Sequence, residues 1–310
     1  MVLEPGPGRL VRRPDRLALE EPLEVRLASP SGPGSLGVTM RTPGNDMELV
    51  AGLLLAEGIV DGVEDLAGIA YCAGGPAGAD RCARQGTVAV PTVRGAVLPA
   101  AAAVAGADGA AGRDRADRAA GRDGFNALVA TLRRPPRRPL RERHTVTSSS
   151  CGVCGSASIE ALRAAGHPVI GAGPEVPLDW LCGLPDELRR HQRSFDDTGA
   201  VHAAGLAEPR LGLLAVREDV GRHNAVDKVV GWALLAGSVP LRGAVLVVSG
   251  RVSFEIVQKA VRAGVGVVAA VSGATSLAVA LAEDVGVTLV GFVRGGRCTV
   301  YTGPERLVVR

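Results

Sequence analysis

The second half of the chain alternates short apolar runs with segments in which apolar residues recur every three to four positions. Apolar runs that lie between helices are typical of strands buried in an α/β layered domain. The predicted strands are LGLLAV (211–216), AVLVVSG (244–250), VVAAVSG (267–273) and VTLVGFV (287–293). The predicted helices run through NAVDKVVGWALLAG (224–237), FEIVQKAVRAG (254–264) and SLAVALAEDVG (276–286). The pattern therefore predicts an α/β fold for this half.

The N-terminal half begins with a predicted hairpin and a predicted helix. LEVRLA (23–28) and GVTMRT (37–42) alternate like strands, and a Ser/Pro/Gly-rich turn at 29–35 separates them. In the following segment, apolar residues recur near the helical period. Asp46 is the expected cap of this helix, and Gly58 marks its end. These elements indicate a smaller α+β region before the α/β domain.

The middle of the chain differs in composition from both ends. From about 73 to 143 the pattern decays into Ala and Gly and then into a mixed-charge, Arg-rich run. We interpret much of it as loop or insertion, with a flexible Ala/Arg-rich insertion near 101–143. This predicts an N-terminal α+β region at 1–140 and an α/β domain at 141–310.

Composition and charge narrow the class of protein. The net charge of +3 is too small for a dense basic face, so no nucleic-acid partner is expected. No apolar stretch of about 18 residues occurs and the N-terminus lacks a signal-peptide core, which predicts a cytoplasmic protein without a membrane span. In a reducing compartment the six cysteines are expected to stay thiols.

Nearly all of the positive charge is arginine. The only lysines are Lys228 and Lys259, and both lie in charged motifs of the second half. An ammonium group fills places that a planar guanidinium cannot, so we expect a specific role for both residues. The alternative is that they are two unselected surface lysines.

Cys151 and Cys154 form a C-x-x-C pair at a predicted strand-to-helix turn. HTVTSSS (144–150) predicts the strand, and SASIEALRAAG (156–166) predicts the helix. Unpaired backbone N–H groups and the positive end of the helix dipole then face the sulfurs and lower the thiol pKa. A thiolate is the reactive form of cysteine, so the pair is predicted to be reactive.

Three chemistries fit two cysteines at this spacing. A persulfide carrier needs one nucleophilic cysteine in an open loop, and a dithiol oxidoreductase uses both thiols. A structural zinc site needs four ligands, and the other cysteines do not form a second close pair. Spacing alone does not separate these alternatives, and a purely structural role for the pair also stays open.

Charged residues cluster where predicted strands end. REDVGRHNAVDK (217–228) places Asp219, Arg222 and His223 at the turn between a strand and a helix. This density of charge indicates a cavity lined by several of these side chains. A helix cap with solvated charges is the alternative interpretation.

Two further strand ends carry Ser-Gly turns. Ser249 and Arg251 follow one apolar strand, and Ser272 follows the next. Ligands of open α/β sheets bind at this edge, and helix N-termini favour phosphates, so a nucleotide-like or phosphate-bearing ligand is predicted. His202 is a further candidate, although a lone His there is more often a packed core residue.

Several long motifs occur in one order and together resemble the FdhD family of formate dehydrogenase accessory sulfur carriers. The resemblance extends from about residue 22 to the C-terminus. Its motifs are NDMELVAGLLLAEGI, CGVCG, TGAVHAA, EDVGRHNAVDK, SGRVSFEIVQKA and LVGFVRGGRCTVYT.

The resemblance implies a sulfurtransferase that acts through a cysteine persulfide. By this resemblance Cys151 is expected to hold the persulfide, and our mechanistic hypothesis is that Cys154 assists or resolves it. The implied donor is a cysteine desulfurase, the implied acceptor is the molybdenum bis(molybdopterin guanine dinucleotide) cofactor, and the implied recipient is formate dehydrogenase. The cofactor-contacting segment of the family maps onto Phe292, Val293, Arg294, Gly295, Gly296 and Arg297.

The resemblance also implies a cytidine deaminase-like domain and a homodimer. The H-x-E motif of a zinc deaminase is missing, so no permanent metal is expected. A cofactor chaperone that binds the molybdenum cofactor without transferring sulfur is the strongest rival, and a dithiol oxidoreductase comes third.

Overall fold

The computed structural model describes residues 2–6, 9–13, 15–72, 88–89, 126–138, 169–171 and 173–309. These residues form a mixed α/β structure. The strands are β1 (Val2–Gly6), β2 (Arg9–Arg13), β3 (Glu21–Ser29), β4 (Gly32–Arg41), β5 (Leu66–Tyr71), β6 (Val88–Ala89), β7 (Ala127–Leu132), β8 (Val176–Pro177), β9 (His202–Glu208), β10 (Gly212–Asp219), β11 (Val245–Val248), β12 (Val267–Ala270), β13 (Thr288–Arg294), β14 (Arg297–Thr302) and β15 (Leu307–Val308). The helices are α1 (Asp46–Ala56), α2 (Leu178–Arg190), α3 (Arg193–Thr198), α4 (Arg222–Leu235), α5 (Phe254–Arg262) and α6 (Ser276–Val285), and 3₁₀ turns cover Val63–Asp65 and Pro304–Arg306. None of the described helices is long and apolar enough to span a membrane.

The larger sheet has six strands in the order β10–β9–β11–β12–β13–β14. β11, β12 and β13 are parallel, and antiparallel strands extend the sheet on both sides. Helix α5 connects β11 to β12, and α6 connects β12 to β13. The strands and helices predicted between 211 and 293 are thereby confirmed, with small shifts at their ends.

A second sheet has the order β4–β3–β7–β5–β6. β3 and β4 form the predicted hairpin. β7 lies between β3 and β5, and its Leu128, Ala130 and Leu132 are buried. The prediction of loop or flexible insertion was therefore wrong for 127–132. The alternating pattern there is short and is followed by a run of Arg and Pro, which concealed a central strand.

Helix α1 begins at Asp46, but Asp46 does not cap it. Asn45 holds the N-cap position, and its side chain makes no capping hydrogen bond. The Asp46 carboxylate instead accepts from the Arg41 guanidinium, at 2.8 Å from Nη2 and 3.1 Å from Nε. Both side chains are buried. The prediction of an Asp46 cap was wrong, because Asn45 takes the N-cap position and the Asp46 carboxylate pairs with the buried guanidinium of Arg41, five residues earlier.

Helices α1 and α4 lie between the two sheets and touch backbone to backbone. A Cβ on Gly52 of α1 would overlap the carbonyl oxygen of Asp227, and a Cβ on Gly231 of α4 would overlap that of Glu48. Glycine alone permits so close a crossing. A single apolar cluster runs from Leu27 of the smaller sheet through this helical layer to strands β9 to β13. Both sheets therefore share one core.

Helix α2 covers the opposite face of the six-stranded sheet. Its Leu181, Leu184 and Leu188 pack in a second apolar cluster with Val245 and Val247 of β11. Because side chains alternate along a strand, Leu246 and Val248 face the helical layer instead. Helix α2 was not predicted from the sequence, because it contains Pro185, and proline normally ends a helix.

Some predictions fall outside the described residues. These are the strand at 144–150, the cysteine loop at 151–154, the helix at 156–166 and the boundary near residue 140. They stay predictions.

Candidate functional site

The ends of several strands meet at one edge of the six-stranded sheet. β11 and β12 both end there, β10 ends there, and β9 starts there. In open α/β sheets the carboxyl ends of the parallel strands are the usual place for ligands. Predicted site residues that the structure brings to this edge are His202, Asp219, Arg222, His223, Ser249, Arg251, Ser272 and the segment 292–297. We call this set the strand-end site.

Asp219 organises the turn between β10 and α4. Its carboxylate is fully buried, and each oxygen accepts two hydrogen bonds. Oδ1 accepts from the Gly221 N–H at 2.8 Å and from the Asn224 amide at 3.0 Å. Oδ2 accepts from the Thr42 N–H at 3.1 Å and from Lys228 Nζ at 2.8 Å. Four protein donors engage this carboxylate, so its geometry supports a scaffold role.

His202 lies at the start of β9 against the turn after β11. Its Nδ1 is 3.5 Å from Ser249 Oγ, and a Cβ on Gly250 would lie 3.3 Å from the same nitrogen. Burial, together with the charges of Arg222 and His223, lowers the pKa of His202 below its ordinary value of 6.5. The imidazole is therefore neutral at neutral pH and can both donate and accept a hydrogen bond.

His223 pairs with the first turn of α5. Its Nε2 lies 3.0 Å from Ser253 Oγ and 2.9 Å from Glu255 Oε2. Ser253 holds the N-cap position, yet its hydroxyl contacts His223 and makes no capping bond. Burial raises the pKa of Glu255, but the hydrogen bond to His223 and nearby positive charges bring it below its ordinary value. An ionised carboxylate therefore orients this imidazole.

Arg222 supplies an unsatisfied cationic group at the same edge. Its Nε is buried and has no hydrogen-bond partner in the part of the chain that the structure describes. A buried N–H without a partner is costly, and an anionic oxygen is its strongest partner. Arg251 is exposed on the neighbouring turn. Together these two residues can hold an anionic group.

The turns after β11 and β12 are bonded to each other and to β13. The Val252 N–H donates to the Gly273 carbonyl at 3.1 Å, and the Thr275 N–H donates to the Val252 carbonyl at 3.0 Å. The Phe292 N–H donates to the Ser272 carbonyl at 3.1 Å. These bonds fix the positions of the two Ser-Gly turns relative to the segment 292–297.

The hairpin between β13 and β14 presents an aromatic ring and two arginines. Phe292 has φ 51°, a left-handed conformation that is uncommon for a residue with a Cβ, and the residue is 43% exposed. The Arg294 guanidinium lies 5.9 Å from the centre of that ring. Gly295 and Gly296 have φ 56° and 72° and form the tight turn, across which Arg294 pairs with Arg297.

The predicted sulfur loop is not part of the described structure. Cys151 and Cys154 fall in the undescribed range 139–168, so their proximity to the strand-end site stays a prediction. Among the described residues, no three His, Cys, Asp or Glu side chains converge in a way that could hold a metal ion.

Sequence reasoning missed three residues that hold the site together. Ser253 and Glu255 orient His223, and Thr42 Oγ1 accepts from the Val220 N–H at 3.0 Å. Ser253 and Glu255 could have been found from the sequence. They are polar residues at the start of a predicted helix, next to a charged motif, and side chains at a helix start project in a defined direction. Nothing in the sequence pointed to Thr42, because it lies in the distant N-terminal half and contacts the turn between β10 and α4 only in the folded chain.

Comparisons with known proteins agree on one family. The FdhD/NarQ family model matches residues 18–308. Sulfur carrier protein FdhD of Nocardia farcinica is 43% identical over 302 residues, which cover 97% of this chain and 91% of that protein. The protein of the same name from Streptomyces avermitilis is 45% identical over 305 residues, covering 98% and 93%.

One solved structure has a similar fold along the whole chain. It is a crystal structure from Desulfotalea psychrophila, of a protein assigned as a formate dehydrogenase accessory protein. It has a TM-score of 0.63 and 21% sequence identity, with 99% of this chain and 97% of that chain covered. At this identity the likeness concerns the fold alone.

Proposed function

The chain belongs to the FdhD/NarQ family, and on this premise we propose that it is a sulfur carrier that serves formate dehydrogenase. In the proposal, Cys151 receives sulfur from a cysteine desulfurase and holds it as a persulfide. The sulfur then passes to the molybdenum bis(molybdopterin guanine dinucleotide) cofactor, which is the substrate bound at the strand-end site.

The proposal that the strand-end site binds the cofactor rests on one observation, which is that several arginine side chains lie at this site. Arg222 has a buried N–H without a partner among the described groups, and Arg251 is exposed beside it. Arg294 and Arg297 project from the hairpin next to the Ser-Gly turns. A guanine dinucleotide carries several phosphates, and guanidinium groups bind phosphate oxygens with paired hydrogen bonds. These arginines therefore suit the phosphate-bearing arms of the cofactor.

The other groups of the site suit the remaining parts of such a ligand. The exposed side chain of Phe292 offers a surface for a planar heterocycle, and His202, whose imidazole is neutral in the free protein, offers a hydrogen bond to a phosphate oxygen. Ser249 and Ser272 add small polar groups on fixed turns. Asp219 and Val293 are buried, so we propose that they position the contacting residues.

The proposed sulfur transfer is a displacement at sulfur. The Cys151 thiolate attacks the outer sulfur of the donor persulfide, a new S–S bond forms at Cys151, and the S–S bond of the donor breaks. The donor cysteine leaves as a thiolate and takes up a proton. In the second step the S–S bond of the persulfide breaks and Cys151 leaves as a thiolate. The outer sulfur would take two electrons from the reduced molybdenum of the substrate and bind it as sulfide, and Cys154 assists this step or resolves the persulfide.

Mass spectrometry after incubation with a cysteine desulfurase and free cysteine tests the loading step. We expect a gain of about 32 Da on the peptide that contains Cys151, because one sulfur atom is added. Cys151→Ala should abolish the gain, and Cys72→Ala, at a buried cysteine directly after β5, should keep it. Wild-type protein without any adduct would contradict the proposal.

A cofactor chaperone is the second candidate, because the described residues supply binding groups rather than sulfur chemistry. The two candidates differ in what they require of Cys151. A sulfur carrier with Cys151→Ala fails to activate formate dehydrogenase, whereas a chaperone with the same substitution still activates it. Guanine nucleotide binding should survive this substitution in both cases, which shows that the variant is folded.

The finer features implied by the family belong to the same proposal. We propose that the domain at 141–310 has cytidine deaminase-like layering and that the N-terminal region at 1–140 packs on it. We also propose a cytoplasmic homodimer without a permanent metal. Light scattering on the purified protein tests the dimer, and elemental analysis tests the metal content.

A further inference from the structure

Arg262 carries a pair of buried N–H groups that have no hydrogen-bond partner. The residue ends helix α5, which connects β11 to β12, so it lies at the edge of the six-stranded sheet opposite to the strand-end site. Its Nε and Nη2 are both buried, and no group in the described part of the chain accepts a hydrogen bond from either atom. Buried N–H groups of a charged side chain are costly to leave unbonded, so an acceptor is expected there.

The two unbonded nitrogens form one binding edge of the guanidinium. Nε–H and one N–H of Nη2 point in the same direction, and together they hold two oxygens of a single anion. Other arginines of this chain use the same edge to bind carboxylates. These pairs join Arg26 to Glu24, Arg41 to Asp46 and Arg217 to Glu48. The edge of Arg262 is therefore of a kind that this fold otherwise fills with an anion.

A second arginine lies beside Arg262 over the same glycine. A Cβ on Gly58 would lie 2.6 Å from Arg262 Nη2 and 3.2 Å from Arg138 Cδ. Gly58 has φ 68°, which glycine adopts without strain, and its missing side chain makes room for both arginines. Burial, followed by the charge of Arg138, lowers the pKa of Arg262, and the carboxylates of Asp61 and Glu57 oppose this only in part. Two positive charges are therefore held close together.

We propose that Arg262 and Arg138 form a second anion site, separate from the strand-end site, which binds a phosphate group. The paired edge of Arg262 donates to two phosphate oxygens, and Arg138 supplies the second positive charge. A phosphate group carries about two negative charges at neutral pH and so balances both guanidinium groups, whereas a carboxylate balances one. Arg262 as a whole is partly exposed, so a phosphate approaches from the solvent side, and a rotation of the guanidinium turns the paired edge toward it.

Titration calorimetry with inorganic phosphate tests this site on the full chain. Arg222→Met and Arg251→Met are introduced first, so that the strand-end site contributes little binding. In this background Arg262→Met should weaken phosphate binding at least about tenfold, because both paired hydrogen bonds are lost. Arg262→Lys keeps the charge but not the paired edge, and it should weaken binding as well. Arg242→Met is the matched control at an exposed arginine just before β11, on the same edge of the sheet, and should leave binding unchanged.

Urea denaturation gives an independent measurement. Because the buried edge has no partner in the free protein, Arg262→Met without phosphate should keep or raise the midpoint of unfolding. Added phosphate should then raise the midpoint of the unsubstituted chain more than that of Arg262→Met. Unchanged phosphate binding by either Arg262 variant would overturn the proposal, as would a lower midpoint of Arg262→Met without phosphate.

Guanosine diphosphate distinguishes the two sources of a phosphate group. A site for free phosphate shows Arg262-dependent binding of inorganic phosphate alone, whereas a site for the phosphate of a larger molecule binds both. Absence of Arg262-dependent binding for both compounds would overturn the proposal. Because the test uses neither the strand-end arginines nor the cysteine loop, its failure says nothing against Cys151 as the sulfur carrier.

Discussion

The two lysines of the chain both occupy positions where a compact ammonium is needed. Lys228 Nζ donates to Asp219 at 2.8 Å, to the Thr42 carbonyl at 2.8 Å and to the Glu218 carbonyl at 3.3 Å. Lys259 Nζ donates to both oxygens of Asp227, at 2.6 and 2.8 Å. The alternative of unselected surface lysines was wrong. A planar guanidinium cannot direct three donors from one point, which explains why arginine has not replaced Lys228.

Lys228→Met tests how much this ammonium stabilises the fold. The substitution leaves the charge of Asp219 buried without its cation, and we expect a loss of about 3 to 5 kcal/mol in the free energy of unfolding. Urea denaturation measures the loss. The matched control is Arg16→Met, which removes an ion pair with Asp197 at the surface and should cost less than about 1 kcal/mol. Equal losses in the two variants would contradict the assignment.

The lowered pKa of His202 predicts how nucleotide binding depends on pH. A phosphate beside the imidazole raises the pKa of His202 toward or above its ordinary value of 6.5, so binding takes up a proton. The affinity for guanosine diphosphate should therefore rise as the pH falls from about 8 to about 6. Calorimetry in buffers of different ionisation enthalpy measures the proton uptake. His202→Asn should remove it, and pH-independent binding by the wild-type protein would count against a phosphate at this position.

The crossing of α1 and α4 is the contact between elements that depends most on residue size. Gly52→Ala or Gly231→Ala places a methyl group on a carbonyl oxygen of the other helix, so the helices must separate. We expect each substitution to cost at least about 2 kcal/mol, as overpacking of a core does. Chemical denaturation measures it.

Gly183→Ala in α2 is the matched control for the helix crossing. Nothing lies within 4 Å of a Cβ at Gly183, which is also a helical glycine. Alanine is the better helix former, so this variant should be more stable by roughly 0.5 to 1 kcal/mol. Destabilisation of all three variants to the same extent would show that the close crossing is not the cause.

The elements that the sequence predicted are those whose apolar pattern is long and uninterrupted. The predicted strands β10 to β13 belong to one sheet, in which β9 was not predicted, and the turns predicted to bind a ligand meet at one edge because the parallel strands β11 and β12 end together. β7 and α2 escaped prediction, since the first is short and followed by arginines and the second contains Pro185. Their identity as core elements comes from packing partners far along the chain, which a local pattern does not contain.

The strand-end site is built from both halves of the chain. Thr42, at the end of the hairpin in the smaller sheet, donates to Asp219 and accepts from Val220. The helical layer between the sheets belongs to a single apolar cluster that includes residues from both. From the sequence the site was predicted to lie wholly in the second half, because hydrogen bonds between distant segments produce no periodic pattern of residues.

The shared core predicts that both sheets unfold together. We expect a single calorimetric transition whose van't Hoff and calorimetric enthalpies agree. Neither sheet can separate from the helices between them without disrupting the packing of the other sheet. Differential scanning calorimetry on the full chain measures this. Two separate transitions would show that the regions at 1–140 and 141–310 are independently stable.

Transfer of labelled sulfur from the protein to the cofactor distinguishes a sulfur carrier from a cofactor chaperone. The protein is loaded with radioactive sulfur on Cys151 by a desulfurase, freed of the donor, and mixed with formate dehydrogenase and its molybdenum cofactor. If Cys151 carries the sulfur, the label leaves Cys151 and is recovered with the cofactor as the enzyme becomes active, and Cys151→Ala supplies neither label nor activity. Activation of formate dehydrogenase while the label stays on the protein would contradict this role of Cys151.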